Sequence, residues 1–91
     1  FNEYFQIHTY RLLAQIASEE KYFEKAKEYL EKGLTITQED ENPIEEGLTH
    51  LELGRLYGKL MQYSLAEKAF DKSASKFLEI NNNYLLSQVK K

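Results

Sequence analysis

The chain has 91 residues, with no cysteine, one proline and four glycines, enough for one small domain or for part of a longer array. The lack of cysteine excludes disulfides, thiolate metal sites and cysteine nucleophiles. Acidic residues number 15 against 12 basic ones, for a net charge of −3, so we expect no nucleic-acid contact by this segment. No apolar run approaches the length of a membrane span, so we expect no membrane contact and a cytoplasmic location.

The sequence repeats itself with a period of 40 residues. Identical residues align at that offset: Asn2 with Asn42, Thr9 with Thr49, Leu13 with Leu53, Ala26 with Ala66, and Lys32 with Lys72. A further shift places Asn42 on Asn82, which opens a third copy. We therefore predict one domain over 1–91, with repeat one at about 3–40, repeat two at about 43–80, and a capping or third-repeat helix at about 83–91. Because the chain begins at Phe1, we interpret it as a fragment of a larger protein.

Each copy has the apolar spacing of two helices. In the second copy Leu53, Leu56 and Leu60 recur on one helical face, and Ala66 and Phe70 continue the pattern after a break. The first copy repeats this layout at Leu13, Ile16, Ala26 and Leu30. We predict five helices, at about 3–18, 22–38, 43–60, 64–80 and 83–91.

Helix start signals support this map. Asn42 precedes Pro43, which is the pairing of an N-cap residue with a proline at the first helical position. Ser64 followed by Glu67 predicts a capping box at the start of the fourth helix. The acidic stretch Glu39–Glu41 is interpreted as a solvated turn between the two repeats.

The second copy contains Leu53-Gly54-Arg55-Leu56-Tyr57 and Ala66-Glu67-Lys68-Ala69-Phe70. These runs resemble the tetratricopeptide repeat (TPR), which pairs two helices and carries Leu-Gly-x-x-Tyr and Ala-x-x-x-Phe. The resemblance implies an all-α fold of TPR-like helix-turn-helix repeats, an alpha-alpha superhelix, with Gly54 at a close helix contact. Tyr10 and His50 stand where the family has tryptophan. The long period is similar to that of kinesin light chains and bacterial signalling and regulatory proteins, and we expect its extra residues in the second helix and its exit loop.

The resemblance also implies that the first helix of each repeat lines a concave groove. The lining predicted on this basis is His8, Arg11, Gln15 and Glu19 from repeat one, and Leu48, Leu51, Arg55 and Lys59 from repeat two. Gln88 and Lys91 of the last helix are further candidates. Leu48 and Leu51 would form an apolar floor beside the two arginines, which suits a peptide with an acidic or phosphorylated group.

The residues do not form a pattern typical of catalysis. His8 and His50 are 42 residues apart and fit no metal motif, and the carboxylates stand in runs that are normally solvated. We therefore predict no enzyme, no metal and no cofactor. The predicted function is a protein- or peptide-binding module of a larger regulatory or signalling protein. The alternative is a structural segment that self-associates, as a homodimer, through Phe1, Tyr4 and Phe5.

Overall fold

The computed structural model describes residues 3–39 and 41–89, with side chains from Phe5 onward in those ranges. The helices in this part of the chain are α1 (Glu3–Glu19), α2 (Phe23–Glu39), α3 (Pro43–Lys59), α4 (Tyr63–Glu79) and α5 (Asn83–Val89). These residues contain no strand. The predicted all-α class and the five-helix map are confirmed, and residues 90 and 91 of the last predicted helix lie outside the described residues.

The helices follow one another at a constant interval. Each of α1 to α4 has 17 residues, and α1 and α3 begin 40 residues apart, as do α2 and α4. The two helices of a repeat are therefore equally long. The expectation that the second helix takes up the extra length is wrong, because the length is shared by both helices.

The turns between helices share one backbone geometry. Lys21, Glu41, Met61 and Asn81 each adopt a positive φ, at 67°, 50°, 61° and 56°. After α3, the Met61 N–H donates to the Gly58 carbonyl at 3.1 Å and the Gln62 N–H to the Tyr57 carbonyl at 2.9 Å. This is the Schellman pattern, which ends a helix with one left-handed residue. The same pair of bonds recurs at the other three turns, so consecutive helices reverse direction in the same way.

The helix starts confirm one predicted cap and correct another. The Glu45 N–H donates to Asn42 Oδ1 at 3.2 Å, with Pro43 as the first helical residue, and Asn82 caps α5 through the Leu85 N–H at 3.0 Å. The predicted Ser64 cap is wrong. Helix α4 begins at Tyr63, and Gln62 is its N-cap without a side-chain hydrogen bond.

Helix α3 is the central helix of the array. It packs on α4 within its own repeat and on α2 and α1 of the preceding one. Leu53 and Leu56 are 5% and 3% exposed. Their equivalents on α1, Leu13 and Ile16, are 37% and 55% exposed. The difference arises because α2 covers this face of α3, whereas no described helix covers the corresponding face of α1.

Two glycines let α3 and α4 approach closely. A Cβ on Gly54 would lie 2.5 Å from Cε1 of Phe70, and a Cβ on Gly47 would overlap the ring of Phe77. The predicted close contact at Gly54 is thus present. At the Gly47–Phe77 contact repeat one has the reverse arrangement of sizes, since the equivalent residues are Ile7 and Thr37. Phe77, Ile7 and Thr37 are all 0% exposed, so the two repeats fill the same space from opposite helices.

These contacts predict opposite effects for two alanine substitutions in α3. Gly47→Ala should destabilise the chain by about 1–3 kcal/mol, because the fully buried ring of Phe77 has no space to move. Gly58→Ala should stabilise it by up to about 1 kcal/mol, since alanine is the better helix former and no atom lies within 4 Å of the added Cβ. Urea unfolding of both variants measures the two changes, and equal effects would contradict the proposed contact.

Candidate binding groove

A groove of about 490 Å³ lies between the C-terminal halves of α1 and α3. Its floor is formed by Ala14 of α1, Ala26 and Leu30 of α2, and Leu56 of α3, none more than 3% exposed. The side chains at its rim are polar or charged: Gln15, Ser18, Glu19, Glu52, Arg55 and Lys59. Small alanines on two of the three helices make this depression, because a larger side chain there would fill it.

The rim holds two acidic and two basic groups, and both basic groups form a hydrogen bond with another rim residue. Arg55 Nη1 donates to Glu52 Oε1 at 2.8 Å, and the arginine side chain is 51% exposed. Lys59 Nζ donates to Ser18 Oγ at 3.1 Å and so links α3 to α1 across the groove. Exposed pairs of this kind contribute about 0–1 kcal/mol. An incoming charged group can therefore replace either partner at little cost.

Arg11 makes a buried ion pair outside the groove. Its Nη1 lies 2.6 Å from Glu45 Oε2, its Nη2 lies 3.3 Å from Glu45 Oε1, and the two side chains are 12% and 5% exposed. His8 Nδ1 lies 3.4 Å from the same Nη2. Because the guanidinium is held by both carboxylate oxygens, Arg11 ties α1 to α3 and does not offer a free charge to a ligand.

Four of the eight predicted lining residues meet in the groove: Gln15, Glu19, Arg55 and Lys59. His8, Arg11, Leu48 and Leu51 do not line it. Leu51 is only 5% exposed, so the predicted floor of Leu48 and Leu51 is replaced by the alanine-rich floor described above. Gln88 is half-buried on α5, and Lys91 lies outside the described residues.

The sequence contains a signal for Arg11 that the groove prediction did not use. Arg11 and Leu51 occupy equivalent positions of the two repeats. The leucine in repeat two indicates that this position can face a neighbouring helix, and a buried arginine requires a carboxylate partner. Ala14 and Ala26 are a further signal in the sequence, because small residues leave room for a ligand.

A second polar cluster lies between α2, α3 and α4, around His50. His50 is 5% exposed, and its Nε2 lies 3.7 Å from Glu46 Oε2. Lys76 Nζ lies 3.5 Å from the other oxygen of Glu46. Burial lowers the pKa of His50 below 6.5, Lys72 and Lys76 lower it further, and Glu46 opposes the shift. At the equivalent position of repeat one, Tyr10 stacks on Tyr29 instead.

The lowered pKa of His50 predicts that acid weakens the fold through this residue. An unfolded histidine binds a proton near 6.5, whereas the folded one resists protonation, so stability is lost as the pH falls below that value. His50→Tyr, the residue of repeat one, should lose less unfolding free energy between about pH 7.5 and about pH 5.5. Urea unfolding at both pH values compares the two chains, and parallel losses would exclude His50 as the cause.

Neither a membrane span nor a metal cluster is found in the described residues. Their helices are too short or too polar to cross a bilayer. No group of three or more His, Cys, Asp or Glu side chains is placed to hold a metal ion within 3–39 and 41–89.

Comparison with known proteins finds a family for the first part of the chain. Residues 7–40 match the family model described as Tetratricopeptide repeat. No curated protein and no solved structure matches the chain significantly. The matched segment covers most of α1 and α2, and α3 to α5 repeat the same helix length and turns. Residues 7–40 are therefore similar to a tetratricopeptide repeat, and the described residues form an all-α, TPR-like helical array.

Proposed function

We propose that the chain binds a peptide segment of a partner protein in the groove between α1 and α3. On this proposal it is the interaction module of a larger regulatory or signalling protein. Tetratricopeptide repeats generally mediate protein–protein interaction. The observation that carries the proposal is an apolar floor beneath a rim of exposed polar groups, the combination that ligand sites use for affinity and orientation.

The shape of the groove favours a chain molecule over a compact ligand. It runs between two helices, and its floor of Ala14 and Ala26 lets a peptide backbone approach closely. Leu30 and Leu56 supply apolar surface for one of the peptide's side chains. Polar groups along both rims can pair with peptide N–H and C=O groups that would otherwise lose their hydrogen bonds with water.

The rim charges favour a peptide that carries an acidic residue. Arg55 is half-exposed, and its partner Glu52 occupies one edge of its guanidinium. A guanidinium fork binds a carboxylate or phosphate through two parallel hydrogen bonds. Replacing Glu52 by a peptide carboxylate therefore costs little free energy. The new ion pair would be less exposed to water in the groove than on an open surface.

Self-association is a second candidate function, supported by one observation. Phe5, Leu12 and Ile16 on α1 are 62%, 49% and 55% exposed, and a second copy could cover them. Phe1 and the side chain of Tyr4, which belong to the same hypothesis, lie outside the described residues. Leu12 and Ile16 do not line the groove, so sedimentation of Ile16→Lys against the native chain tests this candidate separately.

If a peptide binds in the groove, substitutions that line the groove should weaken its affinity and substitutions outside the groove should not. Peptides selected from a random displayed library on the native chain should bind Gln15→Trp at least about tenfold more weakly, because the indole fills the groove. Arg55→Ala should weaken acidic peptides by about tenfold, or about 1.4 kcal/mol. Fluorescence anisotropy with labelled peptides measures these affinities.

The matched control is Glu31→Trp, an exposed position on α2 that does not line the groove. It should bind the selected peptides as the native chain does. All variants should unfold at the native urea midpoint. Unchanged affinities for both Gln15→Trp and Arg55→Ala would contradict the proposal and place the binding surface elsewhere.

A further inference from the structure

Repeat two carries a polar cluster where repeat one is mostly apolar or neutral. His50, Glu46 and Lys76 stand at the positions that hold Tyr10, Gln6 and Ile36 in repeat one, 40 residues earlier in each case. Burying an imidazole and a carboxylate is costlier than burying an aromatic ring. Helix lengths and turn geometry are the same in both repeats, so the fold does not require this chemistry.

The cluster opens into a crevice of about 240 Å³ that is rich in hydrogen-bond donors. Its lining residues are Gln38 of α2, Glu46 and His50 of α3, and Lys72, Ser75 and Lys76 of α4. Five of these six side chains can donate a hydrogen bond, and Glu46 supplies the one carboxylate. The crevice is separate from the groove and shares none of its lining residues.

The positively charged side chains of the crevice differ in whether a carboxylate lies beside them. The Glu46 carboxylate forms an ion pair with Lys76 Nζ at 3.5 Å and lies 3.7 Å from His50 Nε2. Glu79 also lies near Lys76, at 3.7 Å. Among the carboxylates that the structure describes, none forms an ion pair with Lys72, whose charge acts on His50. The Lys72 side of the crevice therefore carries a positive charge without a described counter-charge.

We propose that this crevice binds a tetrahedral oxyanion, such as a phosphate or sulfate group, on the side of Lys72 and Ser75. Lys72, Ser75 and Lys76 follow one another at helical spacing on α4 and so face the same space. The lysines supply charge, the Ser75 hydroxyl and the Gln38 amide supply neutral donors, and Glu46 holds Lys76 in place. A free anion and a phosphorylated side chain present the same chemistry to these groups.

Binding of an anion is coupled to the protonation of His50. The charged groups that act on this imidazole are Glu46 from α3 and Lys72 and Lys76 from α4, whereas α2 contributes the neutral Gln38. A bound dianion offsets the two lysines and favours the protonated ring, so it raises the pKa of His50. By linkage, the anion binds more tightly as the pH falls through that pKa.

The test uses sulfate, which stays fully ionised across the relevant pH range. The His50 ring resonances are followed by NMR with sulfate and with chloride at equal ionic strength. Sulfate should produce a saturable shift and raise the pKa of His50, and Lys72→Gln should weaken sulfate binding at least about tenfold. Lys32→Gln, the same substitution one repeat earlier, should bind sulfate as the native chain does.

Each outcome bears on the inference. Equal sulfate binding by the native chain and Lys72→Gln would overturn it, as would a His50 resonance that responds equally to sulfate and chloride. Inorganic phosphate and a phosphoserine peptide form two further arms. If inorganic phosphate binds and the phosphoserine peptide does not, the crevice is a small-anion site. If the peptide binds more tightly than inorganic phosphate, the ligand is a phosphorylated partner. Failure of sulfate, phosphate and peptide together would overturn the proposal, whatever happens at the groove.

Discussion

The ion pair between Arg11 and Glu45 is the interaction on which the groove depends. Helices α1 and α3 form the two walls. Helix α1 packs mainly on α2, and α3 packs mainly on α4 and α2. The polar contacts described between the walls include Arg11–Glu45 and Lys59–Ser18. The second is exposed and weak. The first is bidentate and largely buried, so loss of one partner leaves a mostly buried charge at a cost of up to about 3–5 kcal/mol.

The remaining geometry follows from a fixed helix length and a fixed turn. One left-handed residue at the same place after each helix returns the chain along the previous helix. At one buried contact the repeats differ in which helix carries the larger side chain. Repeat two places Phe70 and Phe77 against glycines of α3. At the positions equivalent to Gly47 and Phe77, repeat one has Ile7 on its first helix and the smaller Thr37 on its second, both fully buried.

Local signals predicted the helices and one cap well. The Asn42-Pro43 pair and the spacing of Leu53, Leu56 and Leu60 depend on neighbours along one helix, and such short-range patterns are readable in a sequence. Ser64 failed as a cap because the preceding left-handed turn at Met61 already fixes where α4 begins. Two competing local signals were present, and the hydrogen bonds of the turn prevailed.

Tertiary contacts account for what the sequence did not predict. The partner of Arg11 lies 34 residues away, and a helical pattern gives the face of a residue without naming what covers it. For the same reason Leu13 and Leu53 have equal signals but unequal burial. Of the predicted lining residues, Gln15, Glu19, Arg55 and Lys59 meet in the groove because they lie on the C-terminal halves of their helices, beyond the Arg11–Glu45 contact.

A double-mutant cycle on Arg11 and Glu45 tests this account most directly. Arg11→Met and Glu45→Leu, alone and together, are compared with the native chain by urea unfolding. Each single substitution should destabilise by about 3–5 kcal/mol, because it leaves the other charge buried. The double variant should be more stable than either single one, so the coupling energy should exceed the larger of the two single losses. Losses that simply add would contradict the account, since the two side chains would then contribute independently and the ion pair would not hold α1 against α3.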